Sequence, residues 1–233
     1  MRSIPENLQA VKDRIAGAAR GSGRDPAAVA LLAVSKTQAP ALIAEAFGAG
    51  QRAFGENYVQ EALDKMGALA RLPIQWHLVG PLQSNKTRAA AERFQWVHTV
   101  DREKIARRLS EQRPDAMPPL DVLLQVNVSG EASKSGVAPR EVAALAKAVA
   151  TLPRLRLRGL MAVPEPTGDK GLQRARFREV RELYESLKKE GLELDTLSIG
   201  MTADMEAAIA EGSTMVRIGA AIFGERHKVK DAA

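Results

Sequence analysis

Cysteine is absent from the 233 residues, so no disulfide, thiolate nucleophile or thiolate metal site can be built from them. Aromatic residues are scarce, at two Trp, two Tyr and five Phe. Single-strand nucleic-acid binders interleave aromatic and basic residues, and that pattern is missing. The three histidines, His77, His98 and His227, lack metal-ligand spacing and carboxylate partners; His77 and His98 read as hydrogen-bonded core or rim residues and His227 as a solvated tail residue. No long apolar run is present at the N-terminal end, where Glu6 and Asp13 sit among basic residues. That stretch reads as an amphipathic helix, not as a signal peptide or membrane span, and a cytoplasmic protein is the expectation. Also missing are a glycine-rich dinucleotide fingerprint, an ATPase-type phosphate loop and a Gly-x-Ser-x-Gly elbow.

The formal charge is +6, yet acids are scattered among the basic residues, as in Arg174-Ala-Arg-Phe-Arg-Glu-Val-Arg-Glu-Leu-Tyr184. Such a run is a solvated helix face, so no nucleic-acid partner is expected. A modest attraction for anionic ligands is retained.

What the chain does have is alternation. Apolar runs predict strands at 29–34, 52–54, 74–79, 96–98, 120–127, 155–162, 196–198 and 214–218. Between and around them, helical spacing predicts helices at 1–20, 40–50, 58–72, 84–93, 102–112, 141–151, 171–190 and 204–210, with Asp101 as one cap and Thr202 opening the last. Unbroken βα alternation requires a parallel sheet with right-handed crossovers. Eight units in this length favour a closed (β/α)8 TIM-type barrel with an extra N-terminal helix over an open sheet, the whole of 1–233 forming one domain.

In a barrel the chemistry lies at the C-terminal strand ends. The first strand, Ala30-Leu-Leu-Ala-Val34, runs into Ser35 and Lys36, and a partly desolvated lysine amine there can condense with an aldehyde to a Schiff base. At the last two strands, Ser198, Gly200, Thr202 and Gly219 offer hydroxyls and open backbone N–H groups to a phosphate. Arg217, inside an apolar strand, must be paired, and either a phosphate or a ring nitrogen would pair it. The set suits a carbonyl-bearing, phosphorylated ligand.

Six segments now add specificity: Ala33-Val-Ser-Lys-Thr37, Phe54-Gly-Glu-Asn-Tyr-Val-Gln-Glu61, Trp76-His-Leu-Val-Gly-Pro-Leu-Gln-Ser-Asn-Lys86, Gly159-Leu-Met161, Ser198-Ile-Gly-Met-Thr-Ala-Asp204 and Gly212-Ser-Thr-Met-Val-Arg-Ile-Gly-Ala-Ala-Ile-Phe-Gly224. Together they resemble the pyridoxal phosphate homeostasis protein family, in order and across essentially the whole chain. The resemblance implies a barrel like the N-terminal domain of alanine racemase, with pyridoxal 5′-phosphate (PLP) on Lys36. It further implies Ser198, Thr202, Arg217 and Gly219 about the phosphate and ring, Asn57 at the ring side, and His77 and Met161 lining the pocket. One loop departs from the pattern, reading Ser-Ile-Gly-Met-Thr where many relatives have Ser-Met-Gly-Met-Ser, and Thr202 keeps the hydroxyl. Lys134, in Ser133-Lys-Ser-Gly136, matches a family loop that holds or passes on cofactor, or else is a solvated loop lysine.

Two functions follow from the resemblance, a non-catalytic carrier in PLP and amino-acid homeostasis and a PLP-dependent amino-acid racemase. Racemisation needs a base on each face of the substrate. In the resembled racemase the second base is a tyrosine from a further domain of the partner subunit, and the only tyrosines here are Tyr58 and Tyr184. The carrier is therefore the favoured expectation, as a monomer with PLP-dependent apo-enzymes or vitamin B6 enzymes as transient partners.

Overall fold

A computed structural model describes residues 3–129 and 135–224. Lys134 and His227 lie outside the described residues. Eight parallel strands close into a barrel in chain order: β1 (Ala30–Val34), β2 (Ala53–Glu56), β3 (Gln75–Leu78), β4 (Trp96–Val100), β5 (Leu120–Val126), β6 (Leu155–Ala162), β7 (Thr196–Ser198) and β8 (Met215–Ile218). The seam between first and last strand pairs Ala30 with Met215 and Ala33 with Ile218. Strands so enclosed are buried on both faces, which is why five of the seven residues of β5 are apolar.

A helix follows every strand: α2 (Pro40–Gly48), α3 (Val59–Ala68), α4 (Thr87–Arg93), α5 (Glu103–Gln112), α6 (Val142–Ala150), α7 (Lys170–Lys189), α8 (Met205–Ala210) and the single turn α9 (Ala220–Phe223). The extra helix, α1 (Ile4–Gly21), starts on a capping box in which the Ser3 hydroxyl and the Glu6 carboxylate each accept the other's backbone N–H. Its buried stripe, Ile4, Leu8, Val11, Ile15 and Ala19, recurs every three or four residues. With that stripe it packs against α2, α8 and α9, covering the wall where β8 meets β1.

Several predicted boundaries are corrected. Helix α5 begins on Arg102 with no side-chain cap, because the Asp101 carboxylate takes the Arg102 guanidinium at 2.7 Å instead. Thr202 does not open α8; the chain turns through 202–204 first, and Asp204 accepts the Met201 N–H at 2.5 Å. Strand β4 continues to Val100, two residues past the predicted end, since Thr99 and Val100 are buried with the rest of it. The one-turn α9 has too few residues to show a periodicity and was not predicted.

The apolar core is divided. Most of it fills the layer between strands and helices, and a separate small cluster of Trp96, Leu123 and Met161 sits apart from that layer. Strand β6 carries a bulge opposite β5, where Val122 pairs with Leu157 but Leu123 with Gly159. Gly159 at φ +150 then approaches β7 so closely that a Cβ would lie 1.8 Å from the Thr196 carbonyl oxygen. Gly159→Ala should accordingly cost about 2 kcal/mol or more. Chemical denaturation measures this, and an unchanged midpoint would show that the β6–β7 approach is not tight.

Candidate functional site

The C-terminal strand ends surround a cavity of about 360 Å³. Lys36 enters it after β1, Asn57 after β2, Val79 after β3, Val163 after β6, Met201 and Thr202 after β7, and Arg217 and Gly219 on and after β8. Of the residues expected to form a site, Lys36, Asn57, Thr202, Arg217 and Gly219 are thus brought together. Ser198, Gly200, His77 and Met161 do not line it.

Lys36 is held by its neighbours. Ser35, fully buried, donates its hydroxyl to Glu56 Oε1 at 2.6 Å, and its carbonyl accepts from Lys65 Nζ at 2.7 Å. Lys65 Nζ also meets Glu56 Oε1 at 2.8 Å and Glu61 Oε1 at 2.7 Å. The same Glu61 oxygen accepts the Thr37 N–H at 2.5 Å, and Thr37 sits at φ +63, a conformation a β-branched residue adopts only when held. The residues on both sides of Lys36 are therefore tied to one buried cluster on β2 and α3. Burial pushes the Glu56 carboxyl up from its ordinary value, against the pull of Lys65.

The sequence reading missed Lys65 as part of this frame. The signal was present: Lys65 occupies the core-facing stripe of α3 with Val59, Ala62 and Met66, and lies four residues after Glu61. A lysine on an apolar stripe needs a buried anion, and Glu56 at the preceding strand end supplies it.

Arg217 forms part of the cavity wall and is 5% exposed. Its Nη1 donates to the Ser198 carbonyl at 2.6 Å and to Ser198 Oγ at 2.8 Å, and its Nη2 donates to the Ala162 carbonyl at 2.9 Å. All three acceptors are uncharged. Burial lowers its pKa to about 10, with Asp204 opposing, so the guanidinium stays charged at neutral pH. A cation whose hydrogen-bond acceptors among the described residues are neutral favours an anion in the cavity beside it.

The four residues that miss the cavity have other places. Ser198 lies beneath Arg217 with its hydroxyl taken up by that guanidinium and by His98. Gly200, at φ +96, accepts the Arg217 backbone N–H at 3.0 Å, and a Cβ there would come within 2.5 Å of the Ala208 Cβ. His77 is fully buried, stacked on Trp96 at 5.2 Å, and Met161 packs with Trp96 and Leu123. The strand register turns these last two expected pocket residues into the barrel interior, Met161 into apolar packing and His77 into hydrogen bonds with His98 and Gln75. Gly80, quoted only as part of a motif, has a role: a Cβ on it would fall 2.2 Å from the Asn57 carbonyl oxygen, so glycine lets β3 end against the Asn57 backbone.

Comparison with known proteins matches residues 6–227 to the alanine racemase N-terminal domain family. The chain is 62% identical to the pyridoxal phosphate homeostasis protein of Pseudomonas aeruginosa PAO1 over 226 residues, 97% of each chain. It superposes with a TM-score of 0.84 on the structure of PipY from Synechococcus elongatus with PLP bound, at 36% identity over 95% of this chain and all of that one. Alanine racemase from Corynebacterium glutamicum shares the fold at 20% identity and a TM-score of 0.69, matched over 94% of this chain and 62% of that one.

Lys65→Met leaves Glu56 buried without its cation, and the expected loss of stability is about 3–5 kcal/mol. Adding Glu56→Leu should restore a large part of it, because the uncompensated charge is then gone. Urea unfolding of the single and double variants checks this, and equal losses would mean that the ion pair does not govern this corner.

Proposed function

The chain belongs to the pyridoxal phosphate homeostasis protein family, and from that membership we propose that it is a non-catalytic binding protein that holds PLP in the barrel-mouth cavity. The observation that carries the reading is the shared cavity itself, with the Lys36 amine and the buried Arg217 guanidinium, bonded to neutral acceptors, in one wall. An aldehyde needs an amine and a phosphate needs a cation, so the donor set fits the cofactor's two reactive ends. Its volume of about 360 Å³ lies within the range of small-ligand sites.

PLP would supply an aldehyde there, and the Lys36 amine would be the group that holds it, through Schiff-base chemistry. The frame of Glu56, Lys65 and Glu61 fixes the backbone on either side of Lys36 and so limits where the amine can reach. Thr202 and Gly219 are assigned to the phosphate, through a hydroxyl and a backbone N–H, and Asn57 to the ring side. Arg217 supplies positive charge to the phosphate or the ring, and Ser198 and Gly200 support it from behind. His77 and Met161 are left out of the contact set, because both lie in the barrel interior and neither lines the cavity.

The alternative, an amino-acid racemase, requires a second acid–base group opposite the lysine. Among the described residues, none lining the cavity is a histidine, tyrosine, aspartate or glutamate. Tyr184 is buried on α7, donating its hydroxyl to the Leu194 carbonyl at 3.0 Å, and Tyr58 precedes α3 with 60% of its surface exposed. This wall supports a carrier that binds without turnover and contributes to intracellular vitamin B6 and amino-acid balance. As parts of the same reading, residues 1–233 act as one domain, monomeric and cytoplasmic, passing cofactor to PLP-dependent enzymes. None of the helices among the described residues is long and apolar enough to cross a membrane.

Purified protein mixed with PLP should develop a visible absorbance band, and borohydride reduction should fix the label on Lys36. Label on another lysine, or none, defeats the assignment. Arg217→Gln should weaken retention of PLP about ten- to a hundredfold, as expected for losing a charge-assisted contact. The carrier reading fails if the loaded protein exchanges the α-proton of any common amino acid with solvent at enzyme-like rates.

A further inference from the structure

Behind the cavity wall a line of buried polar side chains runs through the barrel interior. Arg217 Nη1 lies 2.8 Å from Ser198 Oγ, Ser198 Oγ 3.2 Å from His98 Nδ1, His98 Nε2 2.9 Å from His77 Nδ1, and His77 Nε2 3.2 Å from Gln75 Oε1. Gln75 begins β3 and is exposed, so the line connects the cavity with the opposite end of the barrel. A core built for packing alone would use apolar residues here, as it does next door with Leu123 and Met161.

The proton positions along the line follow from what each group can do. A guanidinium only donates, so Ser198 Oγ is an acceptor toward Arg217. The hydroxyl has one proton of its own, and among the described residues its remaining hydrogen-bond partner is His98 Nδ1. Were Nδ1 to carry a proton, the buried serine proton would have no acceptor, which is costly. His98 Nδ1 is therefore bare, its single proton is on Nε2, and it donates to His77 Nδ1. His77 in turn donates from Nε2 to the Gln75 amide oxygen. Reading from Gln75 back gives the same direction.

We infer that His98 and His77 are positioning residues for Arg217, closing a one-way chain Arg217 → Ser198 → His98 → His77 → Gln75 in which each histidine carries its proton on Nε2. The chain turns the Ser198 proton downward and its lone pairs upward, and so keeps Nη1 tied to the wall. Burial agrees with this arrangement: it pushes His77 down to about 3 and His98 well below its ordinary value, so neither ring gains a second proton near neutral pH. The importance of the chain for a ligand rests on the cavity reading above; the chain itself does not.

Nitrogen NMR of the labelled protein at pH 7, with no ligand added, tests the proton pattern directly. Both rings should show a protonated Nε2 and a bare Nδ1; a proton on Nδ1 of either, or on both nitrogens, overturns the chain. Positioning is tested by hydrogen exchange at the Arg217 guanidinium. In His98→Asn the amide oxygen takes the place of Nδ1 as acceptor for Ser198, so exchange should stay near the parent rate. In His98→Leu no acceptor is left, and exchange should quicken about tenfold, the equivalent of one hydrogen bond. Equal exchange in the parent, His98→Asn and His98→Leu sinks the positioning role, and His98→Gln, which also lacks the Nδ1-side acceptor, replaces the leucine variant if that one does not fold. Absence of a visible band with added PLP would defeat the cavity reading while leaving both of these results standing.

Discussion

The buried contact between Lys65 and Glu56 is the constraint on which the arrangement around Lys36 depends. It joins the end of β2 to α3 at 2.8 Å, and through Ser35 it also takes in the end of β1. Two opposite charges in a near-water-free corner stabilise the fold little in themselves, since desolvation offsets most of the attraction. Their value is directional. Each has few ways to satisfy its hydrogen bonds, so the three elements that carry them are fixed in one relative position. Glu61 extends the same frame to the far side of Lys36 by holding Thr37 in a left-handed conformation.

Arg217 is placed by a different principle. It belongs to β8, and its backbone N–H is taken by Gly200, while its side chain is spread over Ser198 and Ala162. Among the described residues its hydrogen-bond acceptors are all neutral, and Asp204 acts on it only through its field, so much of its charge is left available to the cavity. The two cations that matter are thus handled in opposite ways: Lys65 is bonded to carboxylates that fix a backbone, and Arg217 is bonded to neutral acceptors beside a ligand space. The histidine chain behind Arg217 gives each of its own buried protons an acceptor inside the barrel.

Much of the fold was legible because burial on both faces of a parallel strand leaves an apolar run, and the helices between leave a different period. Strands β6 and β7 fall on their predicted residues for that reason. Caps and short turns were less legible. Asp101 and Thr202 both have capping chemistry, yet Asp101 has a competing arginine beside it and Thr202 stands in a turn whose N–H is served by Asp204. The rim residues Lys36, Asn57, Thr202, Arg217 and Gly219 could be placed near one another from topology alone. His77 and Met161 could not be sorted from them, because in a barrel strand a difference of one step along the axis separates rim from interior.

The amino-acid pattern by itself determined the βα alternation, favoured the closed barrel over an open sheet, and placed the lysine at the end of the first strand and the small and basic residues of the last two. These follow from local rules, periodicity and strand order, that act along the chain. Only the tertiary structure decided that Lys65 serves Lys36 across 29 positions of sequence, that Ser198 and Gly200 stand behind Arg217, and that two histidines face each other. Such pairings depend on which way each side chain leaves its strand or helix, and on what the neighbouring element offers when the barrel closes. Hydrogen-bond partners across a closed sheet are set by register and shear, and neither quantity leaves a mark in composition or period.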